Sequence, residues 1–116
     1  MANATQDLKD QTLAQLEALR STLTSPDWQI QMMSASAEQK QQNSDVRILA
    51  DARIAQLEDV QLDRIQEQID ANAAALNDAI AGVQGALTDL QDVAKVLAAA
   101  TSLLKVVGKV LAAIAM

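Results

Sequence analysis

A seven-residue repeat of aliphatic side chains runs through the second half of this chain and constrains its fold more than any other feature. Each position follows the last by seven residues: Leu62, Ile69, Leu76, Val83, Leu90, Leu97, Leu104 and Leu111. A straight α-helix drifts by about 20° per heptad, so a strict repeat of this length is typical of helices that supercoil around a partner. The repeat therefore predicts an all-α protein with an extended helical interface.

The composition favours helices over strands. The 116 residues include three glycines, one proline and a single aromatic residue, Trp28. Strands favour β-branched and aromatic residues between turn signals, whereas alanine and leucine bury area by bringing helices close together. We therefore predict an elongated helical hairpin, bundle or coiled coil, with one short N-terminal helix and a long C-terminal helix that is either kinked or continuous.

The chain is expected to form one helical unit over residues 1–116. Its clearest boundary is at Ser25 and Pro26, because serine is a strong N-cap and proline fits the first helical position. Weaker break signals lie at Ser36 or Ser44, around Asn72, and from Gly82 to Gly85. The predicted segments are a first helix over 5–24, a second over 27–42, an acidic heptad helix over 45–92 and an apolar, lysine-striped helix over 93–116.

Charge separates an acidic body from a basic end. Residues 1–92 hold all 15 acids and six bases, a balance of −9, whereas residues 93–116 hold three lysines and no acid. Nucleic-acid binding favours a broad basic face and aromatic stacking residues, and the chain has neither. We expect no nucleic-acid partner.

The residue types needed for most site chemistry are missing. The chain has no histidine and no cysteine, which removes the commonest general base and the commonest metal ligands. We expect no enzymatic activity, no catalytic residues, no metal site, no cofactor and no small-molecule substrate. The first residues, MANATQDLKD, lack the apolar core of a secretory signal, so we expect a cytoplasmic protein or one exported by a leaderless route.

The last segment is too apolar to be left in water. Residues 93–116 hold eleven large apolar side chains, and burying them would contribute on the order of 20 kcal/mol gross. Folded domains are stable by only about 5–15 kcal/mol net, so the segment must be covered. A polar line crosses it, formed by Lys95, Ser102, Lys105 and Lys109.

The polar line disfavours one environment for this helix and leaves three others open. A lone membrane span is disfavoured, because each central lysine costs about 2.5–3.5 kcal/mol and the charge-free runs are shorter than about 20 residues. The helix could instead lie on an anionic bilayer, or several copies could turn the lysines toward a water-filled lumen. In the third alternative, the lysines form the wet side of a bundle and their stems cover apolar surface.

A compact apolar group follows the proline and comprises Trp28, Ile30, Met32 and Met33. Trp and Met are favoured at interfaces, so the group could be a docking patch. More often, such a group closes the end of a bundle core.

Two functional hypotheses follow. In the first, the chain is a non-enzymatic structural or interaction protein that forms homo-oligomers through the heptad seam, with the apolar helix buried in the assembly. In the second, the chain is membrane-active, either pore-forming or peripherally bound to an anionic membrane, through residues 93–116.

Overall fold

Six α-helices form the part of the chain that the structure describes, residues 4–112 without the side chains of Ala4 and Leu62. In this computed structural model they are α1 Ala4–Leu23, α2 Pro26–Met33, α3 Ala37–Asp59, α4 Leu62–Ala71, α5 Ala73–Ala86 and α6 Val93–Ala112. No strand occurs within that range. The prediction of an all-α, bundle-like protein is confirmed.

Two helix starts follow from local hydrogen bonds. Ser25 caps α2, because its side chain accepts a hydrogen bond from the backbone N–H of Trp28 and Pro26 occupies the first turn. Ser36 and Gln39 form a capping box at the start of α3, with each side chain bonded to the other's backbone N–H at 3.1 Å. Both features were readable in the sequence.

Other helix boundaries differ from the predicted ones. The second helix ends at Met33 rather than at 42, and Ser44 lies inside α3. The acidic heptad segment over 45–92 is divided among the larger part of α3, the whole of α4 and α5, and the turn that follows α5. Asn72 separates α4 from α5, as expected, but Gly82 and Gly85 stay helical.

Of two further breaks, the first depends on a long-range contact that the sequence pattern did not indicate, and the second on a local cap. At the α3–α4 junction Val60 is extended, and its carbonyl accepts a hydrogen bond from Lys9 Nζ at 3.0 Å. Between α5 and α6, Asp92 Oδ1 accepts from the backbone N–H of Lys95, and this N-cap starts α6. The chain therefore turns at points where no proline stands.

These turns shorten the molecule. An unbroken helix from residue 27 to the C-terminus would extend roughly 130 Å, whereas the principal extents are 45 × 29 × 19 Å. The radius of gyration is 14.4 Å, close to the value of about 13 Å expected for a globule of this length. The elongated hairpin or coiled coil is not confirmed, nor is a long C-terminal helix, because the chain folds back on itself instead.

Helices α1 and α6 each pack against α3, α4 and α5, and the core lies among these five helices. The side chains that α6 buries are Val96, Leu97, Ala100, Leu103, Leu104, Val107, Val110 and Leu111. Helix α1 contributes Leu8, Leu16, Leu19 and Leu23. The apolar C-terminal helix is thus covered by the chain's own acidic helices as far as Ala112, and residues 113–116 of the predicted segment lie outside the described residues.

Candidate functional site

The heptad positions lie inside the core of the chain. The buried members are Ile69, Leu76, Val83, Leu97, Leu104 and Leu111; Leu90 is half-buried, and the side chain of Leu62 is outside the described set. Helix α6, which carries the last part of the repeat, packs against α4 and α5, which carry most of the rest. Helices of one chain therefore cover the repeat in this fold. Its use as a seam between copies stays a prediction, and that use would require these helices to separate.

The polar line of the last helix lies at the surface. Lys95, Ser102, Lys105 and Lys109 are all exposed. Within the described range one ion pair occurs, between Arg20 and Asp51 at 3.6 Å, so no carboxylate there pairs with these lysines. None of the described helices has the length and hydropathy needed to cross a bilayer.

Helix α2 divides the predicted docking patch between the core and the surface. Trp28 and Met32 are buried, with 0% and 8% of their surface exposed, whereas Ile30 and Met33 are 60% and 79% exposed. At about 100° per residue, the second pair lies on roughly the opposite side of the helix from the first. Trp28 and Met32 therefore close the end of the core, while Ile30 and Met33 form an apolar strip open to solvent.

A cavity of about 320 Å³ opens on one side of α2 and carries positive charge. Its lining consists of Leu23, Trp28, Gln29, Met32, Met33, Lys40, Asn43 and Arg47. Lys40 and Arg47 belong to α3 and are seven residues apart, so they share a helix face. Since none of the described residues that line this cavity is acidic, we call it the basic flank.

A second cavity, of about 450 Å³, opens on the other side of α2 and carries negative charge. It is lined by Asp27, Ile30, Gln31, Leu87, Thr88, Asp89, Leu90 and Gln91. Asp89 Oδ1 accepts a hydrogen bond from the backbone N–H of Gln91 at 3.1 Å, which orders the turn before α6. We call this cavity the acidic flank, because its described lining includes two acids and no base.

The sequence identified the apolar group that contains the strip, but not the division of that group or the charges beside it. Asp89 is 62 residues from Asp27 along the chain, and Lys40 and Arg47 lie on a different helix from Met33. The seven-residue spacing of Lys40 and Arg47 was the one local sign that these two bases share a surface. Their position beside α2 follows from the turn at Ser36, and periodicity alone does not encode that turn.

No group of acidic side chains within the described range could hold a metal ion. Comparison with known proteins finds no family model, no curated protein and no solved structure that matches this chain. Its function must therefore be inferred from its own surface.

Proposed function

We propose that this chain is a non-enzymatic helical interaction protein that self-associates through α2. The observation that supports this most directly is the charge order across that helix, where exposed Ile30 and Met33 lie between the basic flank and the acidic flank. A surface with an apolar centre and opposite charges on its two sides is complementary to itself. A second copy of the chain therefore fits it without any further partner.

The positions of the basic and acidic flanks on opposite sides of α2 also favour one orientation of the two copies. A two-fold axis running roughly along α2 places the basic flank of each copy opposite the acidic flank of the other. A two-fold axis perpendicular to α2 in the contact plane would instead place Lys40 and Arg47 opposite their own copies, which like-charge repulsion disfavours. We therefore expect the two α2 helices to pack in parallel.

The size of the contact indicates weak association. Helix α2 has eight residues and is about 12 Å long, so the contact falls in the class of small, transient interfaces that bury less than about 1,200 Å² in total. Exposed ion pairs contribute only about 0–1 kcal/mol each. Burial of Ile30 and Met33 from both copies must then supply most of the affinity, while the flanks fix the orientation.

Sedimentation velocity from micromolar to millimolar concentration tests the proposal. The wild-type sedimentation coefficient should rise with concentration, and the double variant Ile30→Gln/Met33→Gln should remain monomeric. Ile48→Gln is the matched control, because Ile48 is 66% exposed yet lines neither flank. A wild-type monomer throughout the range, or a double variant that associates like the control, would overturn the proposal.

A second candidate function is binding to anionic membranes through α6, favoured by the exposed lysines of that helix, which form no ion pair with a described carboxylate. Adsorption through Lys105 and Lys109 would gain about 1 kcal/mol per lysine, against repulsion by the net charge of −6. Inserting the apolar face would require its eight buried side chains to leave the core, at a gross cost on the order of 10–20 kcal/mol. This candidate therefore requires a chain that opens at the bilayer.

Co-sedimentation with vesicles tests the membrane candidate. The wild type should bind anionic vesicles and not neutral ones, and Lys105→Gln/Lys109→Gln should bind less. If the wild type stays in the supernatant with anionic vesicles, the membrane candidate is wrong, whatever the outcome for self-association.

A further inference from the structure

A third cavity, of about 390 Å³, lies between α3 and α6, away from the two flanks of α2. Its apolar wall is formed by Val46, Leu49 and Leu104, and its cations are Arg53 and Lys105. Small-molecule sites typically have this size and this combination of an apolar lining with a few polar groups. The two cations and the single acid, Asp45, give this cavity a positive balance although the net charge of the chain is −6.

Arg53 has an unused hydrogen-bond donor. Its Nη1 donates to Gln56 Oε1 at 3.1 Å, whereas its Nε is buried and has no acceptor among the described residues. A buried donor without an acceptor is unfavourable, and a ligand oxygen that reaches it removes that cost. Guanidinium groups bind carboxylates well because two of their N–H groups can donate in parallel.

Gly108 gives the guanidinium room against α6. A Cβ atom at that position would lie 3.0 Å from Arg53 Nη2, so the side chain rests directly on the glycine. Lys105 is three residues before Gly108, about 4.5 Å along the helix axis. The Arg53 guanidinium therefore contacts α6 within one helical turn of the residue that carries the second cation.

The acid in the lining defines the opposite end of the cavity. Asp45 is eight residues before Arg53 on α3, about 12 Å along the axis. Its Oδ1 accepts a hydrogen bond from Gln41 Nε2 at 3.0 Å. An anionic group is thus disfavoured near Asp45 and favoured near Arg53, with apolar side chains between the two ends.

We infer that this cavity binds a single-chain amphipathic anion, such as a medium-chain fatty carboxylate. The carboxylate accepts hydrogen bonds from Arg53 and Lys105, and the alkyl chain lies along Val46, Leu49 and Leu104. This binding site is separate from the α2 surface and does not depend on self-association.

Titration of the ¹⁵N-labelled protein with dodecanoate, below its micelle concentration, tests this site. The amide resonances of Val46, Leu49 and Leu104 should shift, and Arg53→Gln or Lys105→Gln should each weaken binding about tenfold. Lys95→Gln is the matched control, because Lys95 is an exposed lysine of the same helix that does not line the cavity. Its affinity should equal that of the wild type.

Gly108→Ala provides a second variant that keeps both cations. Its Cβ should displace the guanidinium and weaken dodecanoate binding, although alanine favours the helix and the fold is retained. The inference is overturned if dodecanoate does not bind, if its shifts map to Trp28 and its neighbours, or if Lys95→Gln weakens binding as much as Lys105→Gln. Equal affinity for dodecyltrimethylammonium would also contradict it.

Discussion

The indole Nε1 of Trp28 donates a hydrogen bond to Oδ1 of Asn43 at 2.9 Å and thereby ties α2 to α3. Trp28 is fully buried, so this bond satisfies the one polar group of the largest side chain in the core. Both residues also line the basic flank. The same contact therefore supports the fold and holds α2 in the position where its exposed strip faces solvent.

Asn43→Ala should lower the free energy of unfolding by about 1–2 kcal/mol, because it leaves the Trp28 N–H without its acceptor. Urea denaturation followed by circular dichroism measures this change, and the emission of the single tryptophan should change with it. Gln41→Ala is the control, since the bond from Gln41 to Asp45 is exposed. Equal unfolding midpoints for the two variants would show that the Trp28 bond contributes little.

Ser36→Ala should cost about 1 kcal/mol of unfolding free energy, because it removes the side-chain acceptor of the α3 capping box. Ser44 is the matched control, since it lies on the exposed surface within α3. Ser44→Ala should be neutral or stabilising by up to about 0.5 kcal/mol, because alanine has the higher helix propensity. Thermal melts of the two variants give the comparison, and a larger loss for Ser44→Ala would contradict the assigned helix start.

Helix boundaries formed by local hydrogen bonds could be predicted from the sequence. Helix α1, at Ala4–Leu23, lies within one residue of the predicted 5–24 at both ends, and α6 begins at the predicted residue 93. The caps at Ser25 and Ser36 use side chains only three residues from their partners. Signals of this kind are contained in a short window of sequence.

Boundaries formed by tertiary contacts could not be predicted in this way. The break at Val60 has no glycine or proline, and its carbonyl is bound by Lys9, 51 residues earlier in the chain. The heptad repeat likewise indicated which side of each helix is apolar. The repeat does not indicate whether the surface that covers it belongs to the same chain or to another copy. The prediction of an elongated shape assumed a continuous helix, and the structure shows a chain that folds back on itself instead.

The candidate site, too, could be predicted from the sequence only in part. The sequence indicated an apolar group at α2, and the exposed pair Ile30 and Met33 belongs to that group. Asp89 reaches the same helix only through the turn between α5 and α6, so no spacing rule links it to Asp27. The charge complementarity that supports self-association was therefore not accessible from periodicity.

Gly82→Ala should stabilise the protein by about 0.5–1 kcal/mol and raise its melting temperature by about 3–6 °C. Gly82 lies within α5, and an added Cβ there would have no side chain or neighbouring helix within 4 Å. Gly108→Ala should give a smaller gain, because its Cβ must move the end of the Arg53 side chain. Differential scanning calorimetry compares the two variants; a lower melting temperature for Gly82→Ala would contradict the helical assignment.

Leu104→Ala should lower the unfolding free energy by about 2–5 kcal/mol, because Leu104 is buried between helices of one chain. The loss should not depend on protein concentration, since no second copy contributes to this part of the core. Leu49→Ala, at a partly exposed position, should cost much less. If the urea midpoint of Ile30→Gln/Met33→Gln, which lacks the proposed α2 contact, rises steeply with concentration, the heptad residues join copies rather than helices of one chain.

The most direct test of α2 self-association is a charge exchange measured by sedimentation. Lys40→Glu/Arg47→Glu makes both flanks acidic, and Asp27→Lys/Asp89→Lys makes both basic. Once circular dichroism has established that both variants are folded, each alone should remain monomeric at concentrations where the wild type associates, and an equimolar mixture should associate again. A mixture that stays monomeric while the wild type associates, or separate variants that associate as the wild type does, would contradict the account.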